Sequence, residues 1–178
     1  MAPEPALTAL ETDRLLLRRA RIGDAEVYRQ LWTERDPRVP PHRRVGPDDR
    51  PTVEDVAAQI RAEAGGSGPA LLTVERRAEG DVIGYCGVVF AGNGSSDEPE
   101  LAFELLRAVH NRGYATEAGG AVLAWAAAAG YPRVWATVWD WNVASRRVLG
   151  KLGFRETGPD GKESEHGRSL LTVCDLSA

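Results

Sequence analysis

Apolar positions along this chain follow two rhythms, period two and period three to four, and their alternation predicts the order of elements. "RLLLRRA" (14–20) reads as a strand, and "GDAEVYRQLW" (23–32) as a helix that Asp24 can cap. After a loop rich in proline and arginine (34–51), "TVEDVAAQIRAEAGG" reads as a helix, with Thr52 and Asp55 spaced as a capping pair and Gly65 and Gly66 as its stop. "ALLTVERR" (70–77), "VIGYCGVVF" (82–90) and "PELAFELLR" (99–107) read as a three-stranded meander, with "GNGSSD" as its second connection. Helical spacing then returns in "GYATEAGGAVLAWAAAAGYP" through Ala118, Val122, Trp125 and Ala129, ending at Gly130 and Pro132. "RVWATVW" (133–139) is a further strand, so 99–139 forms a strand–helix–strand unit with a right-handed crossover between parallel strands. A shorter helix, "NVASRRVLGKL", stops at Gly153, and "FRETG" with "RSLLTVCDL" closes the chain as a hairpin across "PDGKESEHG". The expected architecture is a single α/β domain over residues 1–178, ordered over 10–173, with a mixed sheet covered by helices on both faces.

Composition narrows the function classes. With 43% hydrophobic and 27% charged residues the chain can bury a core, and disorder is not expected. No apolar run reaches the length of a membrane span, and the N-terminal segment lacks the pattern of a signal peptide, so a cytoplasmic location without membrane partners is expected. A net charge of −4 argues against a broad nucleic-acid footprint. Cys86 and Cys174 each sit in an apolar strand-like run, which fits buried thiols rather than a disulfide or a metal site.

Candidate chemistry lies where strands hand over to helices. In "HNRGYATEA" (110–118) small residues flank Tyr114 at a helix start, where unpaired amides and the helix dipole attract an anion and glycine permits close approach. Taken alone, a small residue before a helix is more often just a turn. "NVASRRVLGKLGF" (142–154) opens the next helix, and Asn142 there is by itself a good N-cap. Two such helix starts after adjacent parallel strands converge at the sheet edge where ligands of open α/β sheets collect.

These segments resemble the GNAT-type N-acetyltransferases, and within them the Rim-type branch that includes ribosomal-protein N-terminal acetyltransferases. "LETDRLLLRRARIGDAE" resembles that branch's opening, "RGYATEA" its acetyl-CoA pyrophosphate motif and "NVASRRVLGKLGF" its cofactor-side helix, in matching order from Leu10 to Val173. The resemblance implies a mostly antiparallel sheet of six to seven strands, with a central parallel pair splayed into a V that receives acetyl-CoA. It implies that backbone groups of Leu105 and Leu106 pair with the pantetheine arm, and that Arg112, Gly113, Tyr114, Ala115 and Thr116 offer their amides to the pyrophosphate. Asn142 would bond the pantetheine arm, and Arg146 or Lys151 would sit near the ribose phosphate. His110 departs from the superfamily's usual Gln or Arg, which puts a phosphate contact there in doubt. Gly150, mid-helix, is expected to have a packing reason.

The implied reaction is acetyl transfer from acetyl-CoA to a primary amine, without a metal, the oxyanion being met by a backbone N–H of the 99–107 strand. Neutralising a lysine-like amine of pKa about 10.4 costs about 4.6 kcal/mol at pH 7, against about 1 kcal/mol for an α-amine near 7.8. A strong base is therefore optional for protein N-termini. Strand alternation puts Glu100, Ala102 and Glu104 on one face, where Glu104 could act as base through water, unless a bulge changes the facing or it is simply a solvated carboxylate. Ser145 resembles the family's proton donor to the CoA thiolate. The acceptor has no decodable motif: Arg35, Arg38, Arg43 and Arg44 could attract an acidic group or belong to a solvated loop. Trp135, Trp139 and Trp141 could line an acceptor pocket, but Trp135 and Trp139 share one strand face and are expected in the core, with Trp141 just past the strand end. A protein N-terminus, a polyamine or antibiotic amine, and a non-catalytic acyl-CoA sensor all remain open, whereas a Rossmann reading lacks its G-x-G-x-x-G. The resemblance also implies a homodimer.

Overall fold

A computed structural model describes residues 6–66, 68–93, 97–158 and 163–176. Among the described residues nine strands and four α-helices follow one another as β1 (Ala9–Glu11), β2 (Leu15–Arg18), α1 (Ala25–Glu34), α2 (Val53–Glu63), β3 (Leu71–Arg76), β4 (Val82–Val89), β5 (Glu100–Leu105), α3 (Tyr114–Ala128), β6 (Arg133–Trp139), α4 (Val143–Lys151), β7 (Arg155–Glu156), β8 (Glu163–Ser164) and β9 (Gly167–Asp175). The sheet order is β1-β2-β3-β4-β5-β6-β9-β7, with β8 paired to β9, and among the described strands only the β5–β6 pair is parallel. The seven strands anticipated are present. The two additional ones, β1 and β8, are too short to show a period-two signal and exist because β2 and β9 offer them an edge. Parts of two anticipated connections, 94–96 and 159–162, lie outside the described residues.

Side-chain alternation divides the sheet into two faces. Leu15, Leu17, Val74, Cys86 and Val88 point to the face covered by α3 and α4, where Ala118, Val122 and Ala126 form the buried stripe of α3. Each large aliphatic buried there is worth about 1.5–3 kcal/mol. Small residues on α3 let neighbours come close: a β-carbon on Gly119 would lie 2.6 Å from Leu152 Cδ1, at the end of α4. The opposite face carries α1 and α2, where Ala25, Val56, Ala57 and Ile60 form a second cluster and Tyr28 stacks on Tyr85 of β4 at 5.8 Å. Both cysteines are buried free thiols, and burial pushes the Cys86 thiol up to about 12. Among the described residues no helix is long and apolar enough to cross a membrane.

Three local expectations are met or corrected by the surroundings. Thr52 and Asp55 form the capping box of α2, with reciprocal bonds of 3.1 and 2.9 Å. Asp24 does not cap α1 with its side chain. Its carboxylate turns inward to the Arg18 guanidinium (2.8 and 3.1 Å), the Arg21 N–H (2.7 Å) and the Thr73 hydroxyl (3.2 Å), because a buried arginine competes better for it than helix amides do. Trp135 and Trp139 are not in the main core: Val134, Ala136 and Val138 take the α3 face of β6, and alternation leaves the tryptophans half-buried on the other.

Candidate active site

The site begins as a fault in the sheet. β4 and β5 stay in register over their shared length, from Gly84 opposite Leu105 to Val89 opposite Glu100. β5 and β6 share one register pair, Glu100 with Trp135, supported by the Trp135 N–H to the Pro99 carbonyl at 3.0 Å, and then part. The Leu106 N–H donates to Ile83 at 2.9 Å, so even-numbered residues of this strand turn their backbone to β4. By alternation Leu101, Phe103 and Leu105 turn theirs into the gap. Of the two residues assigned to the pantetheine arm, Leu105 thus offers its N–H, while that of Leu106 is spent within the sheet. The Leu105 carbonyl accepts from His110 Nε2 at 2.8 Å, so the imidazole closes the turn after β5. The bulge that would have reversed the facing of β5 lies elsewhere, in the β3–β4 pairing at Val74/Glu75.

Beyond β5 the chain turns through Arg107–Val109 and enters α3 at Gly113, whose φ of 80° is left-handed. A β-carbon there would cost about 1–2 kcal/mol. The Glu117 N–H is bonded to the Gly113 carbonyl at 3.0 Å, and the N–H groups before it have no partner within the helix. Glu117 is the acidic residue of the first turn, yet it leaves those amides open. Its carboxylate accepts from Thr12 Oγ1 (2.6 Å), the Arg14 N–H (3.0 Å) and Arg14 Nε (2.7 Å). Burial alone would raise its pKa, but the bonds from Thr12 and Arg14 hold it below the ordinary carboxylate value. The helix start is therefore an open, positively polarised cradle.

At the C-terminal end of β6, Asn142 Oδ1 accepts from the Ser145 N–H at 3.1 Å and caps α4. That engages the oxygen and leaves the amide nitrogen of Asn142 to bond a ligand. Ser145 is half-buried in the first turn. Arg146 is committed to the protein itself, donating to Glu156 Oε1 (3.0 and 2.6 Å) and to the Asp140 carbonyl (3.0 Å). Lys151 stands at the far end of α4, about 9 Å of helical rise from Ser145. Asn142 and Ser145 thus stand together at the start of α4, after the C-terminal end of β6, and Lys151 lies at the other end of that helix.

The opposite face of the gap holds charge. Glu104 Oε1 accepts from Arg35 Nε (2.9 Å), and Oε2 from Arg35 Nη2 (2.7 Å) and the Tyr85 hydroxyl (2.9 Å). Burial would lower the Arg35 pKa, but the bonds and charge of Glu104 raise it. The guanidinium also lies 4.4 Å over the Trp32 ring. Arg38 sits 4.2 Å over Trp141, which is stacked on Trp139. The 34–51 loop therefore reaches both walls of the gap, and Arg35 is no solvated side chain. Glu100, 7% exposed, accepts from Asn93 Nδ2 (3.2 and 3.0 Å) at the point where the strands part. Sequence reasoning placed Glu100 only on a shared face with Glu104. Its position at the last paired residue could not be read without the register. Arg35 and Tyr85 as partners of Glu104 left no sequence signal, since 69 and 19 residues separate them from it.

Comparison with known proteins agrees with this geometry. A family model described as an acetyltransferase (GNAT) domain matches residues 14–155. No curated protein matches the chain. Among solved structures, an acetyltransferase from Agrobacterium tumefaciens is 25% identical with a TM-score of 0.71, over 95% of this chain and 95% of that one. A GNAT-family acetyltransferase from Bacillus anthracis is 20% identical with a TM-score of 0.73, over 95% and 99%. Mycobacterium smegmatis RimJ, in complex with CoA-disulfide, is 21% identical with a TM-score of 0.69, over 97% and 88%.

Proposed function

The chain belongs to the GNAT acetyltransferase family, and on that premise we propose that it moves an acetyl group from acetyl-CoA to a primary amine, the α-amine of a protein or peptide N-terminus. The observation that carries this reading is the parting of β5 and β6 beside the open amides at the start of α3. A diphosphate fits the cradle from Arg112 to Thr116, because Gly113 brings no side chain and Glu117 is turned away. A pantetheine arm fits the gap as an added strand on Leu105, with the Asn142 amide as a second partner. Acetyl-CoA supplies the thioester, and the protein supplies orientation and charge.

Negative charge developing on the thioester oxygen would meet an N–H that β5 turns into the gap. Ser145, in the first turn of α4, is proposed to hand a proton to the departing thiolate. Arg146 is held toward Glu156 and contributes to the ligand through the wall it stiffens. Lys151 is proposed to reach the ribose phosphate only with its long side chain extended.

The amine would approach from the face opposite α3, past Trp139, Trp141 and the 34–51 loop. Glu100 and Glu104 favour a cationic group there, and Glu104 would take its proton through water. Three donors already occupy the Glu104 oxygens, so an acceptor that sheds its proton for about 1 kcal/mol suits the site better than one that needs about 4.6. That difference favours an α-amine over a polyamine. A homodimer is the assembly proposed from the family resemblance.

An acceptor screen with acetyl-CoA, read by thiol release, tests the reading. Peptides with free N-termini should turn over faster at pH 7 than blocked peptides carrying only lysine, and faster than spermidine. Faster acetylation of spermidine would replace the proposal with a polyamine acetyltransferase, and tight acetyl-CoA binding without turnover on any amine would leave a sensor.

A further inference from the structure

The N-terminal "TDR" (12–14) lies far in sequence from the cradle. In the fold it is stitched to the start of α3. The Leu15 N–H donates to Thr12 Oγ1 (3.0 Å), and Thr12 Oγ1 in turn donates to Glu117. Arg77 fastens the same bend from the other side, its N–H donating to the Arg14 carbonyl (2.9 Å) and its Nη1 to the Thr12 carbonyl (2.8 Å). Arg14 is thus held at its backbone, its Nε and its Nη2, the last 2.6 Å from Glu117 Oε2. Its guanidinium lies 4.4 Å over the Tyr114 ring, and Nη1 donates to the Arg112 carbonyl at 3.0 Å.

We propose that Arg14 is a positioning residue for the diphosphate cradle: by holding the Arg112 carbonyl, it aims the Gly113 N–H at the bound anion. The inference rests on reading 112–116 as that cradle. Its physics is that of one peptide plane. The 112–113 bond is trans, so its carbonyl and its N–H point in opposite directions. With the carbonyl drawn to Arg14, the N–H must face away from it, outward from the loop. A glycine with a left-handed φ is the least restrained residue in such a turn, and without an external tie this plane is free to flip. Glu117 completes the device. It neutralises and orients the guanidinium, so that Arg14 acts on the carbonyl and does not itself compete for the ligand's phosphates.

The test compares two ligands in the full chain, so no acceptor is needed. Acetyl-CoA carries the diphosphate, whereas acetylpantetheine carries the same thioester and arm without it. Dissociation constants are measured by calorimetry for the first and by ligand-observed NMR for the second, and their ratio gives the preference for the diphosphate. In Arg14→Gln this preference should fall by tenfold to a hundredfold. Arg14→Lys, which keeps the charge and loses the fork, should recover only part of it. If Arg14→Gln does not fold, Arg14→Lys is read in its place, with an expected fall of threefold to tenfold. Equal weakening of both ligands would reduce Arg14 to a support of the fold and overturn the proposal, as would an unchanged preference. A wild-type chain with no preference for acetyl-CoA would instead overturn the reading of the cradle.

Discussion

Ser145 illustrates how much a single side chain is asked to do. Its backbone N–H is consumed in capping, the residue stands half-buried in the first turn of α4, and its hydroxyl is proposed to protonate a leaving thiolate. A thiolate with a pKa of about 8.5 leaves without much help, so Ser145→Ala should lower kcat only about tenfold to a hundredfold in steady-state kinetics. An unchanged kcat would remove Ser145 from the reaction. Glu104 teaches a different lesson at the same scale. The alternation of "ELAFEL" put it on one face with Glu100 and Ala102, and its bond from Tyr85, which stacks on Tyr28, places that face on the side of α1. That this carboxylate is clasped by Arg35 and Tyr85 depends on a loop and a neighbouring strand, which no local pattern encodes.

At the scale of elements, helix α4 shows where propensity reasoning holds and where it needs packing. Asn142 caps it, and Gly153, with a φ of 90°, follows its end as expected. Gly150 was expected to have a packing reason, but a β-carbon built there meets nothing within 4 Å. Among the glycines within α3 and α4 it is Gly119, against Leu152, whose smallness the packing uses. Gly150→Ala should therefore raise stability by about 0.5–1 kcal/mol in urea denaturation, by relieving the entropy cost of glycine in a helix. A loss of stability would mean that the space beside it is needed. The strand–helix–strand unit from β5 to β6 was readable from periodicity, because a long run with helical spacing between two strand-like runs has few other solutions. The distance over which those strands stay paired was not readable, since it depends on what fills the gap between them.

The whole molecule is fastened by charges buried between layers. Arg18, Asp24, Glu75 and Thr73 join β2, β3 and the entry to α1, and Arg18 and Asp24 are 8% and 5% exposed. Burial would raise the Asp24 pKa, but the bonds from Arg18, Arg21 and Thr73 hold it below the ordinary carboxylate value. A depressed folded pKa adds stability above the unfolded value of about 3.9, and that contribution disappears as pH falls through the folded value. Asp24→Asn should therefore cost about 3 kcal/mol near pH 7, with the difference from wild type closing below about pH 4 in denaturation curves taken across pH. A difference that stayed constant to pH 2 would show that the carboxylate's charge is not what matters. By itself, the sequence determined the order of elements, the class of fold, the family resemblance and the two helix starts that flank the site, because periodicity, capping and turn chemistry act over a few residues. The tertiary structure alone decided that the Leu106 N–H is spent and the Leu105 N–H is open, that Arg35 locks Glu104, and that Arg14 reaches the loop before α3 across 98 residues. Those outcomes are set by register and by long-range pairing, which exist only once distant segments share a surface.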